Sequence, residues 1–536
     1  MTDITTEADA IIVGSGVNGL VAAAELALAG WSVQLLERNA EIGGFIATEE
    51  RTLPGYRHDT YSSWHPLFVS GAAYASLGPH LHEHGLEFRN TEEWVTASVA
   101  DDGRVTIAHR DPERTAMEFA DPADRTAYLA MLARLAANAA PIGGLMDAEL
   151  RSPSTLRPLA GLIRGGRRGT EDWLRMALSS GRGFARREFR GHEVDHLYAP
   201  WLLHAGLSPN HASGGLMMAL LAATLHGAGL PVVAGGSGGL LTAFESLLHS
   251  LGVEVRTSTS VERILVDHGR AIGVVANGHA TYARRAVLAS VTPTALYDKL
   301  LPPDAVSSTI RSEAATFRYG RAEMQVHVAL SAPLDWTDTR LRNIPLIHMS
   351  DGSDSTGIAC AEAEAGLLPR RPTVVVGQQY LLDPSRVPDG AAALWLQLQE
   401  VPFAPVGDAA GALDTTHGWT PALARSFADR VLARIATHAP DLPRKLLAVD
   451  VITPADLAAH NPNAVTGDPY GGSCELDQSY LWRPLPSAGR HETPVSGLWQ
   501  IGASTHPGPG LSGGSGHLVA RTLTRNRKLR RLFRTR

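Results

Sequence analysis

The stretch from Asp9 to Gly44, DAIIVGSGVNGLVAAAELALAGWSVQLLERNAEIGG, constrains this chain more than any other. Ala10 to Val13 is a short β-branched run and reads as a buried strand. Gly14, Gly16 and Gly19 follow at GxGxxG spacing, Leu20 to Ala29 has the Ala/Leu composition of a helix, and Gly30 ends it. Trp31 to Leu36 is a second strand, finishing at Glu37. Gly14 permits the tight strand-to-helix turn, Gly16 lets the backbone approach a pyrophosphate, and Gly19 lets the helix pack closely on the sheet. The helix start turns unpaired N–H groups and a positive dipole end toward phosphates. Glu37, 18 residues after Gly19, stands where a carboxylate accepts ribose hydroxyls. GxGxxG alone is a weak signal. Strand, helix, second strand and terminal acid in register predict an α/β, Rossmann-like dinucleotide domain.

At 536 residues the chain outgrows a single core, so a second domain is expected. The only cysteines, Cys360 and Cys474, are far apart and in no CxxC arrangement, which argues against a disulfide scaffold, a zinc ribbon and a dithiol redox centre. Lys299, Lys445 and Lys528 are the only lysines, which disfavours a Schiff-base lysine. No metal-ligand spacing such as HExxH appears. The start, MTDITTEAD, lacks the basic and apolar regions of a signal peptide, and the longest apolar stretch, Gly214 to Ala234, is interrupted by glycines and His226. A cytoplasmic protein is expected. Of the net charge of −6, the last sixteen residues contribute +8, so the remainder carries −14. That basic tail, with Leu523, Leu529, Leu532 and Phe533 interleaved, suits either an anionic membrane surface or a solvated helix end. Nucleic acid is disfavoured by the acidic remainder.

NAD and FAD both use this fingerprint. Here Glu37-Arg38 is followed by Gly43-Gly44, a second glycine pair beyond the ribose acid, as in FAD enzymes of the glutathione-reductase type; FAD is favoured. Two distant segments agree. Residues 231–289 begin PVVAGGSGGLLTAFESLLHSLGVEVRTSTSVERI: a glycine turn, a helix from about Leu240 to Ser250, then strands around Val253–Arg256, Val261–Val266, Ala271–Val275 and Ala286–Ala289. Residues 497–520, GLWQIGASTHPGPGLSGGSGHLVA, give a strand, a glycine-rich loop and a helix start. With these three motifs the sequence resembles the phytoene desaturase-like FAD oxidoreductases. These include carotenoid desaturases, desaturase-like ketolases, retinol saturase and the pyridine nucleotide-disulfide oxidoreductase domain-containing proteins. LLDPSRVPDGAAALWLQLQEVPF and GGSCELDQSYLWRP resemble segments of their substrate half.

The resemblance implies FAD contacts at Gly14, Ser15, Gly16, Asn18, Gly19, Glu37, Arg38, Gly43 and Gly44, adenine contact at Val261, and flavin contacts at Gly502, Ala503, Gly510, Leu511, Ser512 and Gly513. It also implies an FAD domain assembled from about 1–75, 232–300 and 490–536. The inserts would form a substrate domain, 76–231 helical and 301–489 sheet-rich, with the flavin ring at the junction. Gly235 to Gly239 invites a second, nicotinamide site, but the third glycine of a fingerprint counted from Gly236 falls at Leu241.

FAD supplies the chemistry, so no triad or metal cluster is required. His58, Asp59, His65, His506 and Arg483 are the polar residues to inspect near the flavin, with His65 and His506 the catalytic candidates. The apolar segments LYAPWLLHAGL and GLMMALLAATLHG read as core or as a tunnel for the lipid-like substrates of the family. Three readings stay open. One is a desaturase or oxidase passing hydride from a hydrophobic, isoprenoid or polyene substrate to the flavin. Another works from reduced flavin, as a saturase, isomerase or hydratase, or as a ketolase-like oxygenation. The remote third, a prenyl-binding escort protein of the same fold, is opposed by the intact glycine fingerprint. An amine oxidase's usual flavin-facing lysine has no evident candidate.

Overall fold

A computed structural model describes residues 7–532, with side chains up to Arg525 (residue 165 apart). The first strand, β1 (Glu7–Val13), leads through α1 (Val17–Leu28) to β2 (Val33–Leu36). Far along the chain α2 (Gly238–Ser250) precedes β3 (Glu254–Arg256), the antiparallel run β4 (Val261–Asp267), β5 (Arg270–Ala276) and β6 (His279–Ala289), and finally β7 (Leu498–Gln500) and α3 (Gly514–Leu532). They form one sheet. Its parallel part runs β3-β2-β1-β6-β7, with Ala10 opposite Val33 and Ile11 opposite Val287, while β4 and β5 continue antiparallel from the first half of β6. β1 is buried on both faces, as a parallel strand between two layers must be. Its even residues Ala10 and Ile12 join the core under α1 and α2, and Ile11 and Val13 join the opposite core with Leu296, Tyr297 and Ile310. Ile11 and Ile12 are each 0% exposed, contributing roughly 1.5–3 kcal/mol apiece.

A second sheet has the strand order Leu446–Ile452, Ala322–Leu330, Ala392–Val401, Val374–Gly377, Leu346–Met349, Trp94–Val99, Val105–His109. Its outer face is aliphatic (Val326, Val328, Leu394, Leu396, Val376) and packs under the helix Pro421–Ala436. Its inner face meets helices between residues 112 and 228, including the apolar helix Gly214–Ala228. Among the described residues no single helix is long and apolar enough to cross a membrane.

Packing shifts the expected divisions. The helix Ala72–Glu83 contributes Ala73, Leu77 and Leu81 to the core of α1, so a break at 75 would cut through it. The segment 76–231 is not purely helical, because its hairpin Trp94–Val99/Val105–His109 forms an edge of the second sheet. Beyond 301, Ile310, Ala314 and Phe317 still pack on the first sheet, as do Leu485 and Ala488.

Candidate functional site

The turn after β1 is held open by three glycines with different jobs. Gly14 has φ +90° and donates its N–H to Leu36 O at 2.8 Å. A Cβ at Gly19 would lie 2.1 Å from Gly14 O, so only glycine lets α1 approach the turn this closely. At Gly16 a Cβ would meet no protein atom within 4 Å, and this residue caps α1 with no side chain bonded to the helix start. The amides there face space that the chain keeps clear. Glu37, buried at the end of β2, lies beside that space: Oε2 accepts the Ser15 N–H (2.9 Å) and Oγ–H (2.6 Å), and Oε1 accepts the Asn39 N–H (2.8 Å). Gly43 (φ +122°) donates to Ser15 O and Oγ, both at 3.2 Å, tying the second glycine pair to the first turn. Thr259 N–H donates to Glu37 O at 2.8 Å, which leads β4, beginning at Val261, past the acid. Arg38 is exposed. These features fit a dinucleotide: an uncapped helix start for the pyrophosphate, and a buried carboxylate whose hydroxyl-type partner (Ser15) shows what it can accept.

The second glycine turn is built in the opposite way. Before α2, Gly235 donates its N–H to Asp383 Oδ2 (2.7 Å), Ser237 to Asp59 Oδ1 (2.6 Å) and Gly238 to Thr48 Oγ1 (2.9 Å). A Cβ at Gly236 would collide with Thr48 at 2.4 Å. The chain's own side chains occupy the amides a second phosphate would need. Asp59 is the hub. Its Oδ2 accepts the Ser63 hydroxyl (2.5 Å) and Arg386 Nη1 (2.6 Å), while Arg386 also donates to Val233 O (2.7 Å) and Asp383 Oδ2 (3.2 Å). Burial alone would raise the Asp59 carboxyl; the Arg386 guanidinium and the bonds from Ser63 and Ser237 hold it below the usual carboxylate range. His58 bonds Thr52 Oγ1 at 2.8 Å, and burial pushes it down to about 3.

The C-terminal loop closes on α1 from the other side. Gly502 (φ +108°) donates to Ser515 Oγ at 3.1 Å, and Gly516 packs so tightly that a Cβ would lie 2.0 Å from Asn18 O. The Asn18 side chain is spent there, accepting the Gly516 N–H at 3.2 Å. Gly510 (φ +115°), Leu511 (φ +57°) and Gly513 (φ +70°) keep the loop in the left-handed region, and Ser512 Oγ accepts the Gly514 N–H. Arg483, buried, binds carbonyls only: Ala503 O at 2.8 Å, Tyr470 O at 2.8 Å and Ser473 O at 3.1 Å. These bonds tie the loop at Ala503 to the segment Tyr470–Ser473. His506 is likewise committed, its Nε2–H directed at Leu145 O (3.0 Å) and Met146 O (3.1 Å); burial pushes it down to about 4. His65 differs: it is buried and pushed down to about 4, with neither ring nitrogen partnered.

The inner face of the second sheet lies against this junction. Gln325 donates to Tyr61 O (3.4 Å), His327 to Thr60 O (3.2 Å) and Gln379 to Ser63 Oγ (3.0 Å). His460 donates to Gly44 O (2.9 Å) while stacking on Tyr61 at 4.6 Å. Sequence reasoning flagged Asp59 but missed Arg386, Gln325, Tyr470 and His460; only Arg386, in LLDPSRVPDG, sat in a segment it singled out. Lys445 is committed to Asp335 and Asp441, Lys299 is exposed, and both cysteines are free thiols.

The chain is similar to known proteins along nearly its whole length. Residues 18–508 match the family described as flavin containing amine oxidoreductase. Pyridine nucleotide-disulfide oxidoreductase domain-containing protein 2 of Rattus norvegicus is 26% identical, the match covering 97% of this chain and 94% of the relative. The zeta-carotene-forming phytoene desaturase of Myxococcus xanthus is 27% identical over 94% of this chain and 90% of its own. Putrescine oxidase, solved bound to putrescine, superposes with a TM-score of 0.61 at 16% identity, covering 97% of this chain and 98% of that one, a likeness of fold. The cleared helix start beside Glu37 and the match from Asn18 to Gly508 say the same thing from two directions: the chain belongs to the flavin-containing amine oxidoreductase family and is an FAD-dependent oxidoreductase.

Proposed function

We propose that this enzyme removes hydrogen from an apolar, isoprenoid-like substrate held between the FAD cradle and the inner face of the second sheet. When bound, FAD supplies the two-electron acceptor for a hydride leaving a substrate C–H bond. The observation that carries the reading is how the cleft is finished. Indoles (Trp64, Trp201, Trp395) and the apolar helix Gly214–Ala228 cover it, and its histidines are held uncharged. Burial pushes His204 and His327 down to about 3 and His348 well below the usual imidazole range. Of the buried carboxylates nearby, Asp59 is neutralised by Arg386, and burial pushes Glu323 up to about 7, which favours its uncharged form. A cationic amine finds no spare counter-charge among them, whereas a neutral substrate meets a dry, uncharged surface. The desaturase relative supports the same substrate class.

We further propose that the enzyme docks on an anionic membrane. Leu156, Leu159, Ile163, Leu174 and Leu178 are 46–66% exposed and interleave with Arg157, Arg164, Arg167, Arg168 and Arg175. Arg521, the first residue of the basic tail, donates to Asp147 O (2.5 Å), at the end of the helix Ala139–Met146; the tail's side chains beyond Arg525 lie outside the described residues. Exposed apolar side chains interleaved with arginines in one segment suit an acidic headgroup layer.

The test of the redox reading is the visible spectrum of the purified protein, taken anaerobically before and after NADPH or NADH. With the amides before α2 already occupied, flavin bands should persist with nicotinamide and bleach with an isoprenoid. Rapid bleaching by nicotinamide would overturn the reading in favour of a nicotinamide-fed reductase.

A further inference from the structure

The inner face of the second sheet is too polar for a wall that meets only hydrocarbon. Strand pairing lays it out as rows. Ser98, His348, Val375, Gln397 and Gln325 stand opposite one another across five strands, and Leu346, Gly377, Trp395 and His327 form the adjoining row. The outer face of the same strands is aliphatic, so the polar face is not a property of the strands. Of the eighteen buried side-chain polar atoms without a hydrogen-bond partner among the described residues, six come from this face: Ser98 Oγ, Gln325 Oε1, His327 Nδ1, His348 Nδ1, Trp395 Nε1 and Gln399 Oε1. Each is costly in a folded interior and calls for a reason.

Gln397 is the partly exposed polar residue of these rows on the strand Ala392–Val401. Its strand lies between two neighbours, and the helix Pro421–Ala436 covers the outer side, yet Gln397 is partly exposed on the inner face, the side that the helical insert packs against. Its amide is also oriented. Nε2–H donates to Glu323 Oε2 at 2.8 Å, and Glu323 is itself anchored by the Tyr470 hydroxyl, 2.6 Å from Oε1. Tyr470 is next to Gly471, whose carbonyl accepts the Ser504 hydroxyl at 2.6 Å, so the network ends on the loop that follows Gly502 and Ala503. One N–H of Nε2 is held by Glu323, and no hydrogen bond to the amide oxygen is formed among the described residues, which leaves it an acceptor with nothing to accept.

We propose that the substrate is an apolar molecule carrying a hydroxyl group, and that Gln397 reads that group by accepting its hydrogen bond. This rests on the reading of the cleft as the substrate site. Gln397 is here a specificity residue, oriented through Glu323 and Tyr470, and a matched hydrocarbon leaves its oxygen unpaired beneath the bound molecule.

The experiment compares farnesol with farnesene, an alcohol and a hydrocarbon of equal carbon count, in one detergent with the flavin-loaded protein. The readouts are the flavin absorption shift on binding and the thermal shift. Farnesol should half-saturate both at a concentration about tenfold or more below farnesene. In Gln397→Leu, of similar size and without the acceptor, that preference should collapse toward unity with flavin content unchanged. Equal responses in the wild type, or a preference that survives Gln397→Leu, would overturn the hydroxyl assignment and leave the apolar-substrate reading standing. If neither compound shifts the flavin or the melting of the loaded protein, the apolar-substrate reading falls and the assignment with it. The wild-type comparison decides even if the variant fails to fold.

Discussion

Gly16→Ala and Gly19→Ala make nearly the same chemical change three residues apart, and the structure assigns them opposite consequences. Gly16 sits at φ −60°, ψ 167°, a conformation alanine adopts freely, and an added Cβ would meet no protein atom within 4 Å. Alanine caps a helix less well than glycine, but it also lowers the entropy of the unfolded chain. The two effects oppose each other, so apo-protein stability should stay within about 1 kcal/mol of wild type. The methyl would enter the clear space at the uncapped helix start, where a pyrophosphate would sit. Losing two charge-assisted hydrogen bonds at about 1.5 kcal/mol each, the low end of their range, weakens FAD binding roughly 100-fold.

At Gly19 the added Cβ would fall 2.1 Å from Gly14 O and 3.5 Å from Ile12 Cγ2. The obstacle is backbone, so α1 must lift from the turn, with an overpacking cost of about 1–3 kcal/mol or more. Urea unfolding of the apo-proteins and titration of each with FAD, followed by quenching of flavin fluorescence, separate the two. The reasoning fails if Gly16→Ala binds FAD within threefold of wild type, or if Gly19→Ala unfolds at the wild-type urea concentration.

Three further outcomes are expected. Asp59→Asn strands the buried Arg386 guanidinium with only Asp383 to pair with, and should cost about 3 kcal/mol in urea unfolding; a loss below 1 kcal/mol would show that the hub is dispensable. Burial pushes Glu323 and Glu400 from ordinary carboxylate values up to about 7, so each favours the folded state at acid pH. That stability is fully present below pH 4.5 and lost as pH rises through about 7, up to about 3 kcal/mol per group. Glu323→Gln should therefore lose less stability than wild type between pH 5 and pH 8, and an identical slope would contradict the assignment. Finally, phosphatidylserine-containing vesicles should sediment the protein while phosphatidylcholine vesicles do not, and Leu156→Ser/Leu159→Ser/Ile163→Ser should weaken this several-fold; binding unchanged by the triple substitution would place the contact elsewhere.

Residues 9 to 44 reveal their structure because everything they do is local. The strand, the turn and the helix are set by neighbours within about thirty positions, and a GxGxxG with an acid 18 residues on has few other uses. Element ends moved by only a few residues: β1 begins at Glu7 rather than Ala10, and α1 at Val17 rather than Leu20. The division of the chain was harder to read, because Leu77, Leu81, Ile310 and Leu485 carry nothing in their own sequence to say which core they enter.

The second glycine turn shows where such reading stops. Gly235 to Gly239 has the composition of a phosphate loop, and nothing within it says that its amides are already taken. The groups that take them, Thr48, Asp59 and Asp383, stand 148 to 190 positions away, and the Arg386 that neutralises Asp59 is 327 from it. The same composition is thus a ligand cradle before α1 and an internal joint before α2. The difference is whether side chains from elsewhere in the fold arrive to cap the helix. A glycine-rich turn before a helix predicts exposed amides, and only the tertiary structure says what they bind. The polar rows behind Gln397 are of the same kind: His348, Gln397 and Gln325 alternate inward on strands whose outward residues look like any core, and their meaning lies in the register that sets them side by side.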